Sequence, residues 1–258
     1  MAKNRFDGKV FVITGGAGGL GAAIAQEAGL QGGAIAILDT NSDAIDSLLI
    51  NLRSRGIKAE GRAVDVRDGN AVTQAIGELS DALSGIDILI TAAGGSLGTP
   101  RDMDDISDED LGLVLDVNVK GTYYCARAVI PHMKKKGGGS IITFSSIGGR
   151  SASPVTGVPY ATAKAAILGL TRRLAKEVGL DNIRVNAIAP GLFLTDRLAE
   201  MFGSLSEIEQ NEVIAGIPLG RMPEIRECID PVLFLASQES SYITGAVLDV
   251  NGGRLMSN

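Results

Sequence analysis

The clearest candidates for chemistry in this sequence are Tyr160 and Lys164. Because the two residues are four positions apart, a helix would place both side chains on one face and within reach of each other. An ammonium group near a phenol favours the phenolate, so Lys164 is expected to lower the pKa of Tyr160 from about 10 toward neutrality. Such a tyrosine could act as a general acid or base. The pair alone is a weak signal, since tyrosine and lysine at this spacing are common on helix surfaces. It gains weight because Ser145 and Ser146 end the preceding apolar run, which predicts that hydroxyls and phenol meet at one edge of a sheet.

A glycine-rich segment near the start of the chain predicts a phosphate-binding turn. Residues 14–21 read TGGAGGLG, follow an apolar run and precede a helical pattern. Glycines let the backbone approach a pyrophosphate, and the N-terminus of the following helix favours its negative charge. The segment fits two registers, GxGxxG with Gly16, Gly18 and Gly21, and TGxxxGxG with Thr14, Gly15, Gly19 and Gly21. The segment by itself leaves the register open.

Asp39 ends the second apolar run, 18 residues after Gly21. An acidic side chain at this place can accept hydrogen bonds from the ribose hydroxyls of an adenosine and would repel a 2′-phosphate. No Lys or Arg occurs in residues 14–38 or 40–52 to bind such a phosphate. The charge pattern therefore predicts NAD rather than NADP.

Composition argues against several other classes of protein. A net charge of −6 and an aromatic content of 4% disfavour a nucleic-acid surface. One histidine and two distant cysteines cannot supply a zinc site of several His and Cys ligands or a disulfide framework, so we predict no metal.

His132 is expected at a helix end rather than in catalysis, and Cys125 and Cys228 are expected to be buried free thiols. No signal-peptide pattern and no membrane-length apolar run is apparent, which predicts a cytoplasmic protein without a membrane partner.

Short apolar runs alternate with helical patterns along the whole chain. The predicted strands are 10–13, 34–38, 59–64, 86–90, 140–144, 183–188 and 246–250. The predicted helices are 20–31, 43–55, 69–84, 108–136, 160–178 and 225–237, with N-caps expected at Asn41 or Ser42 and near Ser107. This alternation predicts one doubly wound α/β domain over residues 1–258, with a mostly parallel sheet of about seven strands and helices on both faces. Ligands bind at the carboxyl ends of such strands, so the loops at 94–106, 145–159 and 189–217 are the expected place for chemistry.

Taken together, these motifs resemble the short-chain dehydrogenase/reductase family, in its branch of about 250 residues with one Rossmann-like domain. The matching segments cover nearly the whole chain. They are TGxxxGxG at 14–21, Val64-Asp65-Val66, Thr91-Ala92-Ala93-Gly94, Asp116-Val117-Asn118-Val119, Ser146, Tyr160-Ala161-Thr162-Ala163-Lys164, Pro190-Gly191 with Thr195, and the tail 242–253.

The resemblance implies four catalytic residues. Ser146 would position the substrate oxygen and Tyr160 would transfer the proton. Lys164 would hold the nicotinamide ribose and lower the pKa of Tyr160, while Asn118 would fix a water in a proton relay. Ser146 is preferred to Ser145 because it precedes Ile-Gly-Gly, as the catalytic serine of the family precedes a turn of small residues.

The resemblance also settles the glycine register as Gly15, Gly19 and Gly21 and implies a cofactor site. Asp65 and Val66 would meet the adenine, and Ile188 with Thr195 the carboxamide end of the cofactor. The full set of cofactor-binding residues that it implies is Gly15, Gly18, Gly19, Leu20, Gly21, Asp39, Asp65, Val66, Ala92, Tyr160, Lys164, Ile188, Gly191 and Thr195.

The chain departs from the family at residues 91–94, where Thr-Ala-Ala-Gly replaces Asn-Asn-Ala-Gly. Both amide side chains are lost, so the side-chain bonds that tie neighbouring strands there are expected to be missing, which affects local rigidity rather than the chemistry. The loop near 192–217 should cover the substrate. Its candidate lining residues are Phe193, Leu194, Leu198, Met201 and Phe202, with Ser96, Leu97, Pro154 and Thr156 from other loops.

The sequence therefore predicts an NAD(H)-dependent oxidoreductase that interconverts a small secondary alcohol and a ketone. The resemblance further implies a homotetramer, with 108–136 and the segment from Ala246 as interface candidates. One alternative is a 3-oxoacyl-carrier-protein reductase, although that activity usually uses NADPH and Asp39 argues against it. The other is a dinucleotide-sensing binding protein without catalysis, which would be expected to lack part of the Asn-Ser-Tyr-Lys set.

Overall fold

The computed structural model describes residues 5–152, 156–195, 199, 202–203 and 206–256. Within these residues, seven parallel strands form one sheet in the order β3-β2-β1-β4-β5-β6-β7. The strands are β1 (Val10–Thr14), β2 (Ala34–Asp39), β3 (Ala59–Ala63), β4 (Ile88–Thr91), β5 (Gly139–Phe144), β6 (Ile183–Pro190) and β7 (Val247–Val250). The predicted doubly wound sheet of about seven strands is confirmed, and every pairing in it is parallel.

Helices cover both faces of the sheet. They are α1 (Gly19–Leu30), α2 (Ser42–Ser54), α3 (Gly69–Leu83), α4 (Asp108–Leu115), α5 (Gly121–Lys135), α6 (Val158–Val178), α7 (Glu207–Ala215) and α8 (Arg226–Ala236). Side-chain caps explain where some of them begin: Asn41 accepts from the backbone N–H of Ala44 at 3.0 Å, and Ser107 forms a capping box with Asp110.

Two of the sequence predictions about helices differ from the structure. The stretch expected as one helix over 108–136 is helical as far as Lys135, but it contains a π-helical segment, Asp116–Lys120, between α4 and α5. The stretch 189–217, expected as a loop, contains α7. Its N-terminus carries a capping box in which the Ser206 hydroxyl accepts from the backbone N–H of Glu209 and the Glu209 carboxylate accepts from that of Ser206.

The alternation of side chains along the strands builds one core on each face of the sheet. Phe11 and Ile13 of β1 pack in the core under α1, α2 and α8, whereas Val10 and Val12 pack in the core under α3 and α5. Strand residues buried on both faces explain why the strands read as nearly continuous apolar runs.

The histidine and the two cysteines lie away from the carboxyl ends of the strands. His132 lies in the last turn of α5, as expected, with Nδ1 2.8 Å from Ser80 Oγ. Cys125 and Cys228 are buried free thiols, and burial raises the pKa of each to about 12. Among the described helices, none combines the length and the apolar character that crossing a membrane requires.

Candidate active site

Strand β5 and helix α6 bring the serine, tyrosine and lysine candidates to the carboxyl edge of the sheet. Tyr160 and Lys164 lie in the first two turns of α6, with Lys164 Nζ 5.6 Å from the centre of the Tyr160 ring. Lys164 is 5% exposed, and its Nζ donates to the carbonyl of Phe144, the last residue of β5, at 2.9 Å. The lysine is therefore fixed between the strand and the helix and lies beside the tyrosine.

The two serines after β5 have different surroundings. Ser145 Oγ is buried and donates to the carbonyl of Lys164 at 2.8 Å, so this hydroxyl ties the strand end to α6. Ser146 Oγ accepts from the backbone N–H of Gly148 at 3.1 Å and forms a hydrogen bond with Tyr160. A methyl group placed on Gly148 would lie 3.6 Å from Ser146 Oγ and 3.7 Å from Tyr160 Cε1. Ser146 is thus the serine that shares a space with the phenol.

Asn118 lies in the π-helical segment and is 1% exposed. Its Nδ2 donates to the carbonyls of Gly95 and Val114, each at 2.9 Å, and its Oδ1 accepts from the N–H of Gly95 at 3.1 Å. Gly94 has a φ of +145°, and a side chain there would overlap Asn118 Oδ1 and lie 3.5 Å from Lys164 Nζ. The extra residue of a π-turn re-aims side chains and is frequent at functional sites. Here it holds the amide against the loop after β4, close to Lys164.

Burial is the largest cause of the pKa shifts of Tyr160 and Lys164. Desolvation lowers the pKa of Lys164 from 10.5 to about 8, so the ammonium form still prevails at neutral pH. Desolvation also raises the pKa of Tyr160, and the hydrogen bond with Ser146 opposes this in part. The pKa of Tyr160 is therefore raised, opposite to the predicted lowering, because burial in low-dielectric surroundings disfavours the phenolate.

The glycine-rich turn between β1 and α1 requires glycine at three positions. Gly15 and Gly19 adopt left-handed backbone conformations, with φ of +59° and +50°. A side chain on Gly21 would collide with the carbonyl of Gly15. Helix α1 begins at Gly19, and its N-cap residue, Gly18, supplies no side-chain hydrogen bond. The N–H groups at the start of α1 receive no side-chain hydrogen bond from Gly18, and the first turn of α1 carries no acidic residue. These N–H groups are therefore available to bind an anion.

A cavity of about 290 Å³ opens beside this turn at the ends of β2, β3 and β4. It is lined by Gly15, Leu38, Asp39, Thr40, Val64, Asp65, Val66, Arg67, Ala93, Gly94, Leu97, Leu113 and Val117. Asp39 accepts from the backbone N–H groups of Ala17 and Asn41 at 3.1 and 3.2 Å. No cation of the described chain lies within ion-pair distance of the Asp39 carboxylate.

Arg67 is a lining residue that the sequence reasoning missed. No Lys or Arg lies close to Asp39 along the chain, in residues 14–38 or 40–52, but β3 lies beside β2, with Ala63 opposite Asp39. The four residues that follow Ala63 therefore reach the same cavity. A basic residue soon after the third predicted strand is the sequence feature that indicates a cation in this cavity.

The remaining predicted cofactor residues lie around the same edge, with different exposure. Ile188 is fully buried in the core, and its carbonyl accepts from the N–H of Ser145 at 2.9 Å. Gly191 donates to the carbonyl of Val250 at 2.8 Å. Thr195 Cγ2 lies 3.4 Å from the position of a methyl group on Gly19, so Thr195 faces the glycine turn. Leu20 and Ala92 are half-buried and pack against the core.

The loss of the two amides at 91–92 is compensated in part. The Thr14 hydroxyl accepts a hydrogen bond from the backbone N–H of Ala93 at 3.2 Å, which ties the end of β1 to the loop after β4. A side-chain bond between neighbouring strand ends is thus present, but β1 supplies it rather than residues 91 and 92. Thr91, opposite Thr14 in the sheet, is 2% exposed, and its Oγ1 has no hydrogen-bond partner within the described part of the chain.

The predicted substrate loop is only partly described. Leu198, Met201 and Pro154 lie outside the described residues. Phe193 is 3% exposed and packs in the core under α1 and α8 rather than standing open to the active-site edge. Thr156 is close to the catalytic candidates, with Oγ1 3.4 Å from the position of a methyl group on Gly148.

Comparisons with known proteins agree with this architecture. A family model described as enoyl-(acyl carrier protein) reductase matches residues 15–254. An uncharacterized short-chain type dehydrogenase/reductase of Sinorhizobium fredii is 39% identical over 253 residues, which are 96% of this chain and 98% of the relative. The 3alpha-hydroxysteroid dehydrogenase of Mediterraneibacter gnavus is 35% identical over 98% of this chain and 97% of the relative.

A crystal structure of a 3-oxoacyl-[acyl-carrier protein] reductase with bound NAD from Brucella melitensis is also similar. Its TM-score is 0.87 at 32% sequence identity, covering 98% of this chain and 95% of that chain. The fold and the site thus define a Rossmann-fold oxidoreductase. The chain belongs to the short-chain dehydrogenase/reductase family.

Proposed function

We propose that the protein is an NAD(H)-dependent dehydrogenase that interconverts a secondary alcohol and a ketone. The observation that carries the proposal is the meeting of Ser146, Tyr160, Lys164 and Asn118 at one sheet edge. This edge also holds the glycine turn and the cavity that contains Asp39.

The residues present fit a dinucleotide. The glycine turn and the N–H groups at the start of α1 would hold the pyrophosphate. Asp39 would accept the adenosine ribose hydroxyls, and Asp65 and Val66 would meet the adenine in the cavity. Thr195, Ile188 and Gly191 would hold the nicotinamide end. When bound, the nicotinamide accepts or supplies the hydride.

In the direction of ketone reduction, Tyr160 would act as the general acid. Burial keeps its hydroxyl protonated, so the phenol can donate its proton to the carbonyl oxygen while Ser146 donates a hydrogen bond to that oxygen. In alcohol oxidation, Tyr160 must work as the phenolate and take the proton of the alcohol. Lys164, which stays largely protonated at neutral pH, stabilises that phenolate, and Asn118 would orient water for proton exchange with the bulk.

Cofactor preference is tested by steady-state kinetics with NAD and NADP. We expect a strong preference for NAD, because the Asp39 carboxylate has no ion-pair partner among the described residues and would repel a 2′-phosphate. Replacing Asp39 with Ala and Thr40 with Arg should move the preference toward NADP. An equal or higher kcat/KM with NADP in the unmodified protein would contradict the assignment.

The second candidate activity is 3-oxoacyl-carrier-protein reduction. It gains support from the similar Brucella melitensis reductase, because that reductase was crystallised with bound NAD. Cofactor choice therefore does not separate the two activities. A panel of secondary alcohols and ketones, assayed beside a 3-oxoacyl thioester, separates them directly. A protein that binds NADH but turns over neither class would be a catalytically silent sensor.

The proposal includes a homotetramer. Leu111 on α4 and Tyr123 on α5 remain 37% and 50% exposed, so this helix pair presents apolar surface suited to an obligate contact. Light scattering at micromolar concentration should give four times the chain mass, and a monomer would refute the assembly.

A further inference from the structure

The Arg67 side chain is held by Asp65 within the adenosine cavity. Arg67 Nε and Nη2 donate to Asp65 Oδ2 at 2.8 and 2.6 Å, and the backbone N–H of Arg67 donates to Asp65 Oδ1 at 2.9 Å. These hydrogen bonds lower the pKa of Asp65, which therefore stays ionised at neutral pH. The bonds also fix the guanidinium fork in one orientation.

The pairing of Asp65 with Arg67 determines the net charge that the cavity presents to a ligand. Among its lining residues, Asp39 and Asp65 are acidic and Arg67 is the one cation. The positive charge of Arg67 is neutralised by Asp65, whereas Asp39 has no ion pair in the described chain. The cavity therefore presents an uncompensated carboxylate, although it contains the type of side chain that best recognises phosphate.

We propose that Asp65 is a second determinant of cofactor selection, which acts by withholding Arg67 from the 2′-phosphate of NADP. This inference rests on the proposed function, since it assumes that the cavity holds the adenosine half of a dinucleotide. Asp39 repels the 2′-phosphate directly, and Asp65 occupies the guanidinium that could otherwise pair with it. Within the described residues, Asp65 Oδ1 accepts one hydrogen bond, from the backbone N–H of Arg67, so it retains a lone pair for the adenine.

Freeing the guanidinium tests the proposal. Asp65→Asn removes the charge that competes for Arg67 and keeps the shape of the side chain. The carboxylate side chain is 37% exposed and that of Arg67 48% exposed, so the substitution opens no buried cavity. A charge-assisted hydrogen bond from Arg67 to phosphate should lower the ratio of the NADPH Kd to the NADH Kd by about 10-fold.

The experiment is a fluorescence titration of NADH and NADPH against four proteins: wild type, Asp65→Asn, Arg67→Gln and the double variant. The ratio should fall in Asp65→Asn and return to the wild-type value in the double variant, because the gain requires the guanidinium. The ratio in Arg67→Gln should not fall below that of wild type, because Asp65 already withholds the guanidinium and its carboxylate, once unpaired, adds to the repulsion of the 2′-phosphate.

Three results would overturn the proposal. They are an unchanged ratio in Asp65→Asn, a lowered ratio that persists in the double variant, and a ratio in Arg67→Gln below that of wild type, which would show that the Arg67 side chain hinders the phosphate rather than being able to pair with it. Failure of the wild type to bind NADH would instead overturn the proposed function, so the two failures are distinguishable.

Discussion

Replacing Lys164 with Met should stabilise the fold at neutral pH while removing a residue proposed for catalysis. Burial lowers the pKa of Lys164 from 10.5 to about 8. Each pKa unit corresponds to about 1.4 kcal/mol, so the folded protein carries a cost of roughly 3 kcal/mol for the buried ammonium. Methionine keeps most of the apolar stem but leaves the carbonyl of Phe144 without its donor, which costs about 1–2 kcal/mol. The net expectation at pH 7 is a variant more stable than wild type by about 1–2 kcal/mol.

The lowered pKa of Lys164 also decides how the stability difference between Lys164→Met and wild type changes with pH. Below about pH 8, Lys164 is protonated in the folded and the unfolded chain, so the full cost is present. Between pH 8 and 10.5, the folded chain releases the proton while the unfolded chain retains it, and the wild type gains stability relative to the variant. The advantage of Lys164→Met should therefore shrink by about 2–3 kcal/mol between pH 7 and pH 10 and change sign.

Urea denaturation at fixed protein concentration, repeated at each pH, measures this difference in the free energy of unfolding. Lys176→Met is the matched control, because Lys176 is an exposed lysine of the same helix, and its effect should stay flat between pH 7 and pH 10. A difference between Lys164→Met and wild type that does not vary with pH would refute the reasoning, because it would mean that Lys164 is not held at a depressed pKa.

Two further predictions concern paired residues with different contacts. Thr14→Val should lower the free energy of unfolding by about 1–2 kcal/mol, because the N–H of Ala93 loses its acceptor. Thr91→Val removes a buried hydroxyl that has no partner within the described residues, so it should be neutral or stabilising; equal losses in the two variants by urea denaturation would contradict this. Ser146→Ala should lower kcat with little change in the NADH Kd, whereas Ser145→Ala should keep most of the activity and lose about 1 kcal/mol of stability with its bond to α6. Comparable kcat losses in the two serine variants would show that the catalytic serine is misassigned.

Much of the fold was predictable because apolar runs and helix caps are local signals. All seven predicted strands are present, and the cap at Asn41 and the capping box at Ser107 are where side-chain chemistry placed them. Helix α7 carried a local signal as well, the Ser206-x-x-Glu209 capping box, and the interpretation of that stretch as a polar loop overlooked it.

The candidate site depended on contacts between distant residues, which the sequence shows less directly. Arg67 reaches the cavity of Asp39 only because β3 packs beside β2, and the Asp65–Arg67 pair then decides what that charge can do. The pKa of Tyr160 is shifted upward by burial, and the spacing of residues along a helix does not show how deeply a side chain is buried. The π-helical turn at Asn118 serves a contact with Gly95, on a loop more than twenty residues earlier.

The most direct test of the proposed mechanism is the effect of Tyr160→Phe on single-turnover hydride transfer, measured with a confirmed substrate. This change removes only the phenolic hydroxyl, so the fold and the NADH Kd should persist. General acid–base catalysis is worth about 10²–10⁴-fold, and the rate of the chemical step should fall by at least that range. Near-wild-type turnover by Tyr160→Phe would contradict the account, because the proton would then travel by another group.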